Sequence, residues 1–179
     1  MKKISFLILF LLFSNFIQSQ NNRVKGKIIK NFGETFNVEN VDIKTDTKAE
    51  LKVIFDVSKS PEKKGVINKN LVTAARFLNM HANEGMKPNQ LKVAITIHGG
   101  AWKDVLTDEA YLKKYGVMNP NSKLIKELNK AGVDVILCGQ TAMFRKIHKK
   151  VVLPEVKFSL SAMTALLQYQ NKGYKFIKF

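Results

Sequence analysis

The chain has 179 residues, with 30 Lys and Arg against 14 Asp and Glu, a formal net charge of +16, and a single cysteine. One cysteine excludes an intramolecular disulfide, so the fold must stand on its core. The basic balance would suit anionic partners, but the lysines are scattered and no RNA-binding signature or basic-aromatic stripe gathers them, so no nucleic-acid partner is expected.

Lys2 and Lys3 precede an almost continuously apolar run from Ile4 to Phe13, which Ser14-Asn15 breaks before the small Ser19. That order predicts a secretory signal peptide over residues 1–19, with an apolar core too short for a membrane span. No cysteine follows the run, which argues against a lipidated anchor. The expected mature chain starts near Gln20 in a secreted, periplasmic setting, without stable membrane insertion after cleavage. Residues 20–50 are polar, with brief alternation in VKGKII (24–29) and a short extended piece at 35–38. They read as an N-terminal arm packed on the domain that follows.

Regular patterning begins at Leu51. LKVIFDVS (51–58) is strand-like, with a Ser-Pro break after it. Ile67, Leu71, Ala74, Ala75, Leu78 and Ala82 recur at helical spacing, with Gly85 as the C-cap. LKVAITIHGG (91–100) is a second buried strand ending in a Gly-Gly turn. A helix over 107–116 starts from Thr107 as N-cap, with Asp108 and Glu109 in the turn where the helix dipole favours acids. Another helix, 119–132, stops at Gly132. VDVILCG (133–139) is the third strand and 140–147 a short helix. A fourth strand (156–161), a helix (162–173) and a final strand (174–179) complete the chain. Strands alternating with helices predict a three-layer α/β/α sandwich with a mainly parallel five-stranded sheet over residues 51–179.

In such sheets ligands sit beyond the carboxyl ends of the strands. That rule puts His98-Gly99-Gly100 and Cys138-Gly139 on one rim. A thiol between a strand end and a helix start meets unpaired backbone N–H groups, which favour the thiolate. Gly139 would leave room beside the sulfur for a ligand. Such a thiolate can take up sulfur as a persulfide, attack a disulfide or be oxidised to sulfenic acid. Alternatively, Cys138 is simply a small buried hydrophobe. His98, the only histidine at a strand end, would hold the thiolate as an ion pair or shuttle its proton, or else bond a loop carbonyl. Gly99, Gly100, Gly139 and Gln140 would shape a rim pocket, and Trp102 would wall it or cover the sheet end. Asp134 reads as an edge or solvent residue. There is no G-x-S-x-G elbow, GxGxxG or P-loop, and the spacing of Cys138, Met143 and His148 fits no established copper site. No metal or cofactor is expected.

Four stretches in order resemble the DsrE/DsrF-like family of small sulfur-handling α/β proteins. They are LKVIFDVS with NKNLVTAARFLN, then KVAITIHGGAW, then AGVDVILCGQTAMFR, and finally LPEVKFSLSAMTALLQYQNKGYKFIKF. CGQT is the most specific piece, and together the stretches cover about residues 50–179. The resemblance implies a five-stranded parallel sheet between helices and assembly as trimers or hexamers. It also implies relay of sulfur as a persulfide on a cysteine placed like Cys138, with His98 as its rim neighbour. Arg145-Lys146-Ile147 departs from the usual Arg-Gly-Ile after that cysteine. On this reading the protein is an exported sulfur-carrier or thiol-redox protein, with a donor or acceptor protein or a small sulfur compound as partner. The alternative is a non-enzymatic oligomeric module that binds a ligand or partner at the rim, Cys138 being structural.

Overall fold

The computed structural model describes residues 23–178, so the signal-peptide expectation for residues 1–19 lies outside the described residues. In chain order the elements are β1 (Arg23–Val24), β2 (Thr35–Phe36), β3 (Leu51–Val57), α1 (Lys69–Asn83), β4 (Leu91–Ile97), α2 (Asp108–Tyr115), α3 (Ser122–Lys130), β5 (Asp134–Cys138), α4 (Gly139–Phe144), β6 (Val156–Ser159), α5 (Ala162–Asn171) and β7 (Lys175–Ile177). Short 3₁₀ turns occupy Pro88–Gln90, Gly99–Val105 and Lys149–Val151.

The main sheet has five strands in the order β6-β5-β4-β3-β7, every pairing parallel. Both faces are covered, which is why β3, β4 and β5 read as near-continuous apolar runs. In these three strands odd-numbered positions face one side. There Phe55, Val57, Ile95, Ile97 and Leu137 pack with Leu71 and Leu78 of α1 and Leu124, Ile125 and Leu128 of α3 in the larger core. Even-numbered positions face the other side, where Ile54, Ala94 and Ile136 meet Ala165 of α5, flanked by Leu166, Tyr169 and Tyr174. This second layer is a single helix.

Element boundaries shift where side chains compete for the backbone. The helix expected from residue 119 begins at Ser122, because Asn119 and Asn121 enter a buried polar hub around Asp104. Asn119 donates to the Asp104 and Leu106 carbonyls, and Asn121 accepts from the Asn68 N–H at 2.8 Å. The Asp104 carboxylate accepts from Ser60 Oγ, Asn68 Nδ2 and Asn121 Nδ2. Burial raises the Asp104 pKa above its usual range, against the pull of the Ser60 and Asn68 hydrogen bonds. The Gly-Gly turn after β4 is in fact the first part of a full 3₁₀ segment.

Upstream of β3, residues 25–33 lie against α1, where Lys27 Nζ donates to the Ala82 and Asn83 carbonyls and one buried side chain forms a clasp. The buried Asn79 accepts from the Ile28 and Ile29 N–H groups and donates to the carbonyls of Ile29, Phe32 and Gly33. Ile29 is buried in the larger core beneath this clasp.

Candidate functional site

β4 and β5 are neighbours, with Ile97 opposite Leu137, so the next register position sets His98 beside Cys138 at the carboxyl ends. Both side chains belong to the even-numbered face, under α5. Cys138 ends β5, caps α4 and is 5% exposed. Its sulfur accepts the Thr141 backbone N–H at 3.5 Å. The Thr141 hydroxyl and the backbone N–H groups of Ala162 and Gln140 also favour the charged form of this sulfur. Ala162 opens α5 and Gln140 belongs to the first turn of α4, so the sulfur lies where two helices begin. Burial pushes the thiol up, yet the Thr141, Ala162 and Gln140 donors together outweigh it and hold the pKa below the ordinary cysteine value. Hydrogen bonds to the charged form are the cause, as expected for a thiolate facing backbone donors.

The imidazole plays a different part from the one expected. His98 Nε2 lies 2.9 Å from Asp56 Oδ1, on β3, and not on the sulfur. Asp56 has a side chain only 7% exposed. The three strand ends thus carry Asp56, His98 and Cys138 in sequence across the sheet, with the histidine anchored to the carboxylate. The link from the histidine turn to the sulfur runs through Thr141, whose Oγ1 accepts the Gly99 N–H at 3.3 Å.

The glycines serve backbone approach. Gly99 has φ +54°, and a Cβ there would lie 3.0 Å from the Ser58 carbonyl oxygen, which accepts the Ala101 N–H. A Cβ on Gly100 would meet the same oxygen at 3.4 Å. At Gly139 a Cβ would lie 2.5 Å from the Ser159 oxygen and 3.1 Å from that of Leu160. The open side of Gly139 is therefore filled by the β6–α5 connection and not left for a ligand. Gln140 is exposed and reaches the Leu160 carbonyl at 3.5 Å.

Trp102 does not wall this site. It packs in the larger core and borders a separate depression that includes neither Cys138 nor His98. Asp134 binds Lys157 and accepts from the Tyr169 hydroxyl at 2.6 Å, far down β5 from the rim. Met143 and His148 are exposed, and among the described residues no group of three or more His, Cys, Asp or Glu is placed to hold a metal ion.

Asp56, Thr141 and Ala162 were not singled out from the sequence. Asp56 carried a signal, since LKVIFDVS sets its one acid directly after the apolar run Val53–Phe55 near the strand's carboxyl end. Thr141 stands within CGQT, at the position where an N-cap's acceptor meets the helix backbone. Ala162 carried none, because a backbone N–H leaves no trace in residue type.

The model of the DsrE/DsrF-like family matches residues 52–179. The chain belongs to the DsrE/DsrF-like family. Two solved structures share its fold. One is a protein of unknown function, MTH1491 from Methanobacterium thermoautotrophicum, at 16% identity and TM-score 0.55, covering 72% of this chain and 99% of that one. The other is the ychN protein from E. coli, at 17% identity and TM-score 0.54, with the same coverage. No curated protein sequence matches this chain. At family level the DsrE/DsrF-like match makes this a small protein of the sulfur-relay type.

Proposed function

We propose that this protein carries sulfur, or exchanges thiols, through Cys138. The observation behind the reading is the cluster of Thr141, Ala162 and Gln140 donors that favours the thiolate. In the uptake step the Cys138 thiolate attacks the terminal sulfur of a donor persulfide. A new S–S bond forms, the donor's S–S bond breaks, and the donor leaves as a thiolate. Delivery reverses the step onto an acceptor thiolate, so no outside oxidant or reductant enters. The same N–H groups that hold the thiolate suit the anionic persulfide. Mass spectrometry after exposure to polysulfide should add about 32 Da, one sulfur atom, to the parent and nothing to Cys138→Ser. An unmodified parent would overturn the reading.

The second reading, a rim-binding module with a structural cysteine, draws on the 5% exposure of Cys138. A folded protein inert to Ellman's reagent would favour it. Assembly as a trimer or hexamer is part of the proposal. Met143, Phe144, Leu160, Met163 and Leu167 are 62–79% exposed on α4, α5 and the connection beside the thiol, a surface that a second copy would cover. Light scattering coupled to size exclusion tests it, a monomer counting against. Export to a periplasmic space is likewise proposed, and a purified chain whose N-terminus is still Met1 would contradict it.

A further inference from the structure

The depression beside Trp102 has a construction unrelated to the thiol. Its floor is apolar, made by Trp102 and Leu106 from the segment after β4 and by Ile147 and Val151 from the segment after α4. Its volume is about 560 Å³, within the few hundred to a thousand Å³ typical of small-ligand sites. The two walls are tied together before any ligand arrives. The Thr107 N–H donates to the Val151 carbonyl at 3.0 Å and the Leu153 N–H to that of Val105 at 2.9 Å, beside a Leu106–Val152 bridge.

The rim carries charge of one predominant sign. Lys113, Lys114 and Lys150 border it against the single carboxylate of Glu109. Among the described residues none of these three ammonium groups is in an ion pair. Lys114 Nζ stands 5.7 Å from the centre of the Trp102 ring, so its charge is held over the aromatic wall. The site also lies beyond the carboxyl end of β4, where sheets of this kind receive ligands.

We infer that this depression binds a small amphipathic organic anion, an aromatic or medium-chain carboxylate whose apolar body lies on Trp102, Ile147 and Val151 while its head meets Lys113 and Lys150. An apolar floor alone would accept a neutral molecule equally well. The unpaired lysines are what select the anion over a cationic ligand, and the apolar floor disfavours a polyol that would leave it uncovered.

Trp102 is the only tryptophan of the chain, so its emission reports on this wall alone. Titration of the full-length protein with decanoate should change Trp102 emission saturably. Decanol, which keeps the chain and lacks the charge, should bind about tenfold more weakly, and so should decanoate to the Lys113→Glu/Lys150→Glu double variant. Circular dichroism confirms that the variant, altered only at exposed positions, is folded. No saturable change with decanoate, equal binding of decanol, or a double variant that binds like the parent would each overturn the inference. So would Trp102 emission that shifts with protein concentration before any ligand is added, because the groove would then belong to a second copy.

Discussion

Replacing Gly139 by alanine joins the packing of the fold to the acidity of the thiol. The added Cβ would sit 2.5 Å from the Ser159 carbonyl oxygen and 3.1 Å from that of Leu160. Both obstacles are backbone, so neither can swing away as a long side chain would. Relief requires the β6–α5 connection to move outward by several tenths of an ångström. Overpacking of this kind costs about 1–3 kcal/mol. For a domain of this size that corresponds to a fall in Tm of roughly 2–10 °C. The same movement draws the Ala162 N–H off the Cys138 sulfur, removing one of the donors that lower its pKa. The thiol pKa therefore rises, and alkylation by iodoacetamide at neutral pH slows. Thermal unfolding and the pH dependence of alkylation measure the two effects. Gly100→Ala is the matched control, its Cβ reaching only to 3.4 Å of the Ser58 oxygen, and should shift Tm little. A Gly139→Ala protein with the stability and thiol reactivity of the parent would refute the coupling.

Thr141→Val removes the hydroxyl donor from the sulfur and the acceptor from the Gly99 N–H. Its alkylation profile should move to higher pH, with Thr141→Ser restoring the parent curve. Because folding depresses the Cys138 pKa below its ordinary 9.0, the native state releases its proton first, and the thiolate adds stability as pH rises through the folded pKa. The stability of the parent relative to Cys138→Ser should thus grow with pH up to about 9, as read by urea unfolding, and a flat difference would contradict it. Asp104 behaves oppositely. Its pKa is raised from 3.8, so the native state binds the proton more tightly, and the parent should lose stability relative to Asp104→Asn as pH climbs above about 4. Asn79→Ala strips two acceptor and three donor contacts from residues 28–33. Each buried group left unpaired costs about 1–3 kcal/mol, so the arm should detach, and limited proteolysis should cut it well before the domain.

The succession of strands and helices along the chain and the placement of the rim were legible because apolar runs and glycine stops carry them, whereas the order of the strands within the sheet was not. LKVIFDVS, LKVAITIHGG and VDVILCG each became a sheet strand, and the helical spacing from Leu71 to Ala82 became α1. What stayed hidden depends on which groups meet in space. Asp56 and His98 are 42 residues apart, and only the parallel pairing of β3 with β4 brings them together. Trp102 follows His98 by four residues, yet the 3₁₀ segment turns it to the opposite side of the sheet. Gly139 suggested free space beside the sulfur, whereas the space is taken by a connection 20 residues later. The asparagines 119 and 121 looked like helix and became a polar hub, since their amides compete with the helical ladder.

The thinness of the layer over the even-numbered face also sets the site's chemistry. The buried residues between α5 and the sheet are Ala94, Ile54, Ile136 and Ala165, flanked by Leu166, Tyr169 and Tyr174, and two of the four buried side chains are single methyl groups. The helix consequently rides low over the sheet, with its first amide, at Ala162, among the donors that favour the Cys138 thiolate. A bulkier residue at Ala94 or Ala165 would act as a shim beneath the helix and tilt that amide away. The acidity of the thiol is thereby tuned by the thickness of two methyl groups on the sheet and the helix above it.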